Sequence, residues 1–358
     1  MAPLPETLPR RWCEQVREAA ANGRALRIVG GGSKSFLGDV LQGDLLDTRG
    51  HSGVVDYDPA ELVISVRAGT PLHDVTDLLD AHGQMLAFEP PAFAGATIGG
   101  MVASGLSGPR RVQAGAVRDH LLGVSLIDGQ GQLLRFGGRV MKNVAGFDVS
   151  RLMAGAWGTL GLITEVSLRT LPRPPQELTL RLELDEAGAI DRFNRLAGQP
   201  LPLSATAWHA GLAHLRLSGT EASLRAARAT TGGEPVGDVE ASAYWQALRD
   251  QRLPFFTYGQ HALWRLSVPG TTAPVELPGE MLMEWHGGLR WLRSEIPATA
   301  VRTAVADRGG HAQCWYNRAP GVAGFEPLQG PMAALHRRLR RAFDPQGVFN
   351  PGRMGGEF

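Results

Sequence analysis

Three glycine-dense loops, each joined to a strand-like run, constrain this chain more than any other feature. The first is Ile28-Val29-Gly30-Gly31-Gly32-Ser33-Lys34-Ser35, a short apolar strand running into three glycines. Glycine tolerates positive φ and carries no side chain, so such a loop brings several backbone N–H groups against a phosphate. It is not a Rossmann fingerprint, because Ser35 stands where the third glycine or alanine belongs, and the Walker A spacer is missing. A tight solvent-exposed turn explains this loop alone as well as a phosphate cradle does. The second segment, Phe88 to Pro109, gathers Thr97, Ile98, Gly99, Gly100, Ser104 and Gly105 with almost no charge. A solvated loop would carry more Asp, Asn and Lys, so a packed backbone facing a large ligand fits better. The third, Gly155 to Gly161, enters the β-rich run Leu162–Leu168. Together the three suggest one extended dinucleotide lying across several backbone turns.

The order GGGSK, ATIGGMVASGLSGPRR, GAVRDHLLG and VMKNVAGFDVSRLMAGAWGTLGLITEVSLR resembles the FAD-binding domain of the vanillyl-alcohol-oxidase (PCMH-type) flavoproteins. Within that superfamily it is most similar to the FAD-binding subunits of bacterial glycolate oxidase (glycolate dehydrogenase). The resemblance runs from about Ala25 to Leu171 and returns in Phe343–Arg353. It implies FAD, with the pyrophosphate on Gly30, Gly31, Gly32, Ser33 and Lys34 and on Thr97, Ile98, Gly99, Gly100, Ser104 and Gly105. It further implies Gly158, Gly161 and Ile163 at the adenosine end, and Lys142, Asn143 and Gly146 with Asn350 near the flavin ring. Many members attach FAD through a histidine beside the glycine loop; here that neighbourhood reads Ser33-Lys34, which favours noncovalent FAD. Related 2-hydroxy-acid dehydrogenases carry a histidine-rich metal motif in the cap. This chain has only His209-Ala-Gly-Leu-Ala-His214, so no metal site carries over and the catalytic residues stay unassigned.

The expected fold is α+β: a two-part FAD-binding domain over 1–171, an α+β cap over 172–342, and a C-terminal segment, 343–358, returning to the first domain. The boundary is Leu171-Pro172-Arg173-Pro174-Pro175, where three prolines break regular structure. Before it, a helix over Pro9–Asn22 precedes strands at Ala25–Val29, Leu45–Thr48, Val54–Tyr57 and Leu62–Val66. Thr70-Pro71 reads as an N-cap and first helical position, with the helix running to His82. Leu121–Ile127 and Gln132–Phe136 flank Asp128-Gly129-Gln130-Gly131 as a hairpin, and Asp148 caps a short helix. In the cap, strands at 178–184, 205–209, 212–217, 264–268, 282–285 and 289–292 mix with helices at 221–230, 239–249 and 298–307, predicting an antiparallel sheet covered by helices.

The formal charge of +1 argues against a nucleic-acid binder. The basic run His336–Arg341 reads as the solvated face of a helix whose other side carries Met332, Leu335, Leu339 and Phe343. Cys13 and Cys314 are alone, so no zinc or iron–sulfur pattern exists in this chain. No signal peptide or apolar span is recognisable, so the expectation is a cytoplasmic protein, reaching the inner face of a membrane only through partners.

Oxidising a 2-hydroxy acid needs a base for the hydroxyl proton and a cation for the carboxylate. Candidates are His209, His214, His261, His286 and His311 in the cap, and Arg110, Arg111, Lys142 and Arg353 near the flavin motifs. By the resemblance, the chain is one subunit of a glycolate oxidase, working with a larger FAD-binding flavoprotein and an iron–sulfur subunit on glycolate or a similar short 2-hydroxy acid to give glyoxylate. The alternatives are a non-catalytic FAD-binding accessory subunit and a free-standing FAD-dependent oxidase. Trp245, Phe255, Phe256 and Trp264 are candidates for a subunit interface, with core packing as their competing role.

Overall fold

The computed structural model describes residues 7–39, 42–138, 148–257 and 259–356. Lys142, Asn143 and Gly146 therefore lie outside the described residues. Among the described residues the strands form two large sheets and two small pairs. The first large sheet has five strands in the order Val54–Asp58, Val63–Arg67, Leu162–Arg169, Leu121–Ile127, Leu133–Gly137. All of its pairings are antiparallel, and the expected hairpin pairs Ile127 with Leu133. Helices Leu72–Ala81 and Ile98–Ser104 bury Val75, Leu79, Ile98 and Met101 against it, around Ile64, Val66 and Val166. Each such buried aliphatic side chain contributes roughly 1.5–3 kcal/mol over an exposed one.

The second large sheet has eight strands, all antiparallel, in the order Glu234–Val236, Gln176–Glu183, Leu212–Gly219, Leu203–His209, Glu280–Glu284, Leu289–Ser294, Ala262–Ser267, His311–Tyr316. Alternation gives it two buried faces. Ile190, Phe193 and Leu224 of the helices Glu186–Ala197 and Glu221–Thr231 cover Leu215, Leu217 and Met283. On the opposite face Ala205, Ala207, Leu263, Leu282 and Trp291 pack with Leu37, Leu106 and Trp157, which come from the glycine-loop side. The α+β class expected from the sequence is what forms.

Three local expectations differ. Thr70 does not cap its helix: its hydroxyl donates to Arg67 O at 2.7 Å and accepts from Gly53 N–H at 2.8 Å. The second glycine segment contains a helix, Ile98–Ser104, because Thr97 Oγ1 accepts the Gly100 N–H at 3.3 Å and Gly105 ends it at φ 64°. The helix Gly330–Phe343 packs Leu339 and Phe343 against the first core, while Met332 and Leu335 stay exposed. Trp245, Phe255, Phe256 and Trp264 are all buried and belong to the cores. The C-terminal segment returns to the first strand: Leu26 bridges Phe349 in parallel, and Asn350 N–H donates to Leu26 O at 3.0 Å.

Candidate functional site

The first two glycine loops lie back to back. A Cβ on Gly31 would sit 1.4 Å from Gly95 O, and one on Gly30 would sit 2.4 Å from Thr97 Oγ1. No side chain survives at such distances, so these glycines exist to let two backbones touch. Gly99 does the same work against the strand end at Ala68, whose carbonyl accepts its N–H at 2.7 Å.

Between these loops opens a cavity of about 320 Å³, within the size range of small-molecule sites. Its lining includes Gly30, Gly31, Gly32, Ser33, Lys34, Thr97, Gly99, Gly100, Ser104, Gly158, Gly161, Ile163, Asn350 and Arg353. Residues expected from all three loops thus share one wall-to-wall site. Ile98 and Gly105 are not part of it: Ile98 is fully buried in the first core, and Gly105 ends its helix in the left-handed conformation.

The two loops offer different chemistry. Among the described residues the N–H groups of Gly30, Gly31, Gly32, Ser33 and Lys34 find no acceptor in the protein. Those of Ile98, Gly99, Gly100 and Met101 are already spent on Thr70 O, Ala68 O, Thr97 Oγ1 and Thr97 O. The expectation that Thr97–Gly105 holds a pyrophosphate by free N–H groups is therefore corrected for its first turn: the neighbouring strand end at Ala68 and Thr70 takes the first two, and the Thr97 cap takes the next two. What the second segment brings to the cavity is shape, at Thr97, Gly99, Gly100 and Ser104.

Lys34 supplies the charge. It is 7% exposed, its Nζ donates to Ser33 Oγ at 3.2 Å, and it lies 5.7 Å from the Phe93 ring centroid. Burial pushes its pKa down to about 8. A buried cation with no carboxylate partner among the described residues, beside a row of free N–H groups, is complementary to an anion. The residues present thus fit the pyrophosphate of a dinucleotide.

The end of the chain holds this loop in place. Asn350 Oδ1 accepts the Ile28 N–H at 2.8 Å and its Nδ2 donates to Trp157 O at 2.9 Å. Gly158 approaches so closely that a Cβ there would meet Asn350 Nδ2 at 2.6 Å. Asn350 and Gly158, which the resemblance assigns to the flavin side and to the adenosine end, are thus direct neighbours in the fold. Arg353 donates to Lys34 O at 2.9 Å and stacks its guanidinium 5.3 Å from Trp157, and burial pulls its pKa to about 10.

The other expected candidates are mostly engaged elsewhere. Arg110 pairs with Glu89 at 3.3 Å and with Glu177, and Arg216 pairs with the same Glu89 at 2.8 Å. Burial pushes the Glu89 carboxyl up, but Arg216 and Arg110 overcome it and hold the group below the ordinary range. This cluster joins the loop after Phe88 to the eight-stranded sheet. His209 meets Glu280 at 2.7 Å, His261 meets Glu295 at 2.9 Å, and His214 stacks on Tyr244. His286 is buried with Nδ1 3.1 Å from Thr206 Oγ1; burial holds its pKa near 4. His311 sits at the edge strand, held down by burial. These histidines do not converge, and among the described residues no group of three or more His, Cys, Asp or Glu could hold a metal ion. Cys13 and Cys314 are free and buried, and among the described residues no helix is long and apolar enough to cross a membrane. Half-buried Arg265 and buried Glu284, charged groups on the inward face of the eight-stranded sheet, were not among the sequence candidates. Their signal was a charge at an inward position of an otherwise apolar strand.

Comparison with known proteins agrees with this geometry. A family model described as "FAD binding domain" matches residues 12–137. The glycolate oxidase subunit GlcE of Escherichia coli (strain K12) is 47% identical over 345 residues, which is 96% of this chain and 96% of that protein. The glycolate oxidase subunit GlcD of Bacillus subtilis (strain 168) is 31% identical over 127 residues, 36% of this chain and 27% of its own length. A solved structure of alkyldihydroxyacetonephosphate synthase superposes with a TM-score of 0.65 at 14% identity, covering 95% of this chain and 74% of that one, and so shares the fold. With nearly half its residues identical to GlcE along almost its whole length, and an FAD binding domain over its first part, the chain belongs to the family of FAD-binding glycolate oxidase subunits.

Proposed function

We propose that this chain is the FAD-binding subunit of a hydroxy-acid oxidoreductase complex that oxidises glycolate, or a similar short 2-hydroxy acid, to the 2-oxo acid. The observation that carries the reading is the buried Lys34, without a carboxylate partner among the described residues, beside the free N–H groups of Gly30–Lys34 in the lining of a cavity of about 320 Å³. Bound FAD supplies the two-electron redox chemistry; the protein supplies binding, orientation and exclusion of water. In this reading Gly30–Lys34 and the Lys34 ammonium hold the pyrophosphate. Thr97, Gly99, Gly100, Ser104, Gly158, Gly161 and Ile163 shape the walls, and Asn350 and Arg353 position the first loop. Lys142, Asn143 and Gly146 keep the flavin-side role the resemblance gives them. The same reading divides the chain into 1–171, 172–342 and a returning segment, 343–358.

Ser33-Lys34 offers no histidine attachment point, so the FAD is noncovalent. Acid precipitation should release all yellow colour into the supernatant; flavin left on the pellet refutes it. We place the chain in a cytoplasmic-face complex with a larger flavoprotein and an iron–sulfur subunit. Anaerobic mixing with glycolate, alone and with those partners, shows which flavin bleaches. If the partners keep full glycolate-dependent dye reduction in extracts of a deletion strain, the chain has no part in the reaction. The accessory reading draws on one observation: His209 and His214, the remnant of the cap motif, are committed to Glu280 and to Tyr244 stacking.

A further inference from the structure

The wall of the cavity between the glycine loops carries more positive charge than the loop and Lys34 account for. Among the described residues its lining holds three cations, Arg27, Lys34 and Arg353, and no carboxylate. Lys34 is the cation beside the free N–H groups. Arg353 is occupied, donating to Lys34 O and resting its guanidinium on Trp157. Arg27 has no such employment.

Arg27 lies on the strand Leu26–Val29, which runs straight into Gly30. Leu26 and Ile28 pack toward the core that includes Val348 and Phe349, so alternation turns Arg27 and Val29 to the other face of the strand. The neighbouring strand, Asp44–Asp47, pairs in parallel and sets Leu45 opposite Arg27. Its two carboxylates are committed elsewhere, Asp44 to Arg24 at 2.9 Å and Asp47 to Arg49 at 2.6 Å. Arg27 is half-buried, and its Nε is buried with no hydrogen-bond partner. Among the described residues its side chain makes no hydrogen bond or ion pair. A donor taken from water and left unpaired costs stability, and a ligand that brings the acceptor removes that cost.

We propose that Arg27 is the second phosphate-binding cation of the dinucleotide site, so that Arg27 and Lys34 each face one negative charge of the diphosphate. The two cations flank the glycine loop in the chain, Arg27 three positions before Gly30 and Lys34 at its end. A guanidinium presents a planar fork of donors that matches two oxygens of one phosphate, whereas an ammonium acts as a point charge. Arg27 therefore fixes the orientation of its phosphate and Lys34 supplies charge to the other. With Arg353 spent on bracing the loop, the two remaining cations match the two charges of a diphosphate. This inference rests on the proposed function for its ligand, and its test reads binding rather than turnover.

The experiment titrates the full chain, freed of flavin, with FAD, with inorganic diphosphate and with adenosine, which carries no charge, using calorimetry. Arg27→Met should weaken FAD and diphosphate roughly ten- to a hundredfold, the range for one lost hydrogen bond to a charged group, and leave adenosine unchanged. Arg27→Lys, which keeps the charge but loses the fork, should fall between wild type and Arg27→Met. Without ligand, Arg27→Met should melt no lower than wild type, because the arginine side chain makes no bond there to lose. A wild-type chain that binds diphosphate but not FAD refutes the proposed function and leaves this site standing. Wild-type affinity for FAD and diphosphate in Arg27→Met overturns the proposal. So does a loss confined to FAD and adenosine, which would set the guanidinium against the adenine instead. A ligand-free Arg27→Met protein that melts lower, or a wild-type chain that does not bind diphosphate, overturns it as well.

Discussion

Replacing Lys34 with Met tests the anion cradle through two effects of opposite sign. Burial lowers the Lys34 pKa from its ordinary 10.5 to about 8. At about 1.4 kcal/mol for each tenfold change in proton affinity, the FAD-free protein carries a cost of about 3 kcal/mol for keeping this ammonium charged at neutral pH. Methionine fills nearly the same volume without that cost, so the FAD-free Lys34→Met protein should melt higher than wild type at pH 7. The loss of the ammonium's contact with Phe93, worth about 0.5–1 kcal/mol, trims the gain. With FAD the sign reverses. A hydrogen bond to a charged group contributes about 1.5–3 kcal/mol, so the variant should bind FAD roughly ten- to a hundredfold more weakly. The pH dependence follows from linkage. Between about 8 and 10.5 the unfolded chain binds more protons at Lys34 than the folded one, so wild-type stability gains on the variant as pH rises through that window. Thermal melts with and without FAD, and flavin fluorescence titration, read all three effects. A Lys34→Met protein that binds FAD as tightly as wild type, or that is less stable without it, refutes the assignment.

Gly31→Ala should abolish flavin retention and lower stability by about 3 kcal/mol or more, since its Cβ would lie 1.4 Å from Gly95 O. Gly100→Ala meets nothing nearer than Thr97 Oγ1 at 3.2 Å; it should leave the melting temperature unchanged or raised while crowding the cavity, so flavin content falls without unfolding. Asn350→Ala strands the Ile28 N–H and the Trp157 carbonyl, at about 1–3 kcal/mol each, and thermal melts should show the loss together with weaker FAD binding. Glu89→Gln takes the counter-charge from Arg110 and Arg216 and should cost about 3–5 kcal/mol at neutral pH. Because Glu89 is held below its ordinary pKa, its contribution is present above about 4.5 and is lost as pH falls through the lower folded value, so the variant's acid sensitivity should be weaker.

What the sequence made legible was what it encodes locally. Gly30–Lys34 could be read because strand, glycines, hydroxyl and lysine are contiguous, and the hairpin at Asp128–Gly131 because turn chemistry is local. Asp148 was read as a cap for the same reason, and it accepts a first-turn N–H at 3.3 Å. Reading failed where one residue type serves two ends. Glycines 99 and 100 look like ligand contacts, but one of them is there for helix-to-strand approach and the first-turn N–H groups are taken by Thr70 O, Ala68 O and the Thr97 cap. Thr70 looks like a cap, but tertiary partners at Gly53 and Arg67 claim its hydroxyl first.

The rest was illegible because it is made by pairs far apart in the chain. The hydrogen bond from Ile28 to Asn350 spans 322 positions, and that from Arg353 to Lys34 spans 319. Nothing near Asn350 marks it as the brace of a loop at the other end of the protein. Glu89 likewise finds Arg216 only when the two sheets meet, 127 positions apart. Arg265 and Glu284 escaped notice for a different reason: each is a single charge in an apolar strand until the sheet brings them to one face. The cradle therefore depends on closure of the whole chain. The glycine loop carries the chemistry of anion binding, but its rigidity is supplied by residues 350 and 353, so damage to the last segment should act on the first loop as strongly as damage to the loop itself.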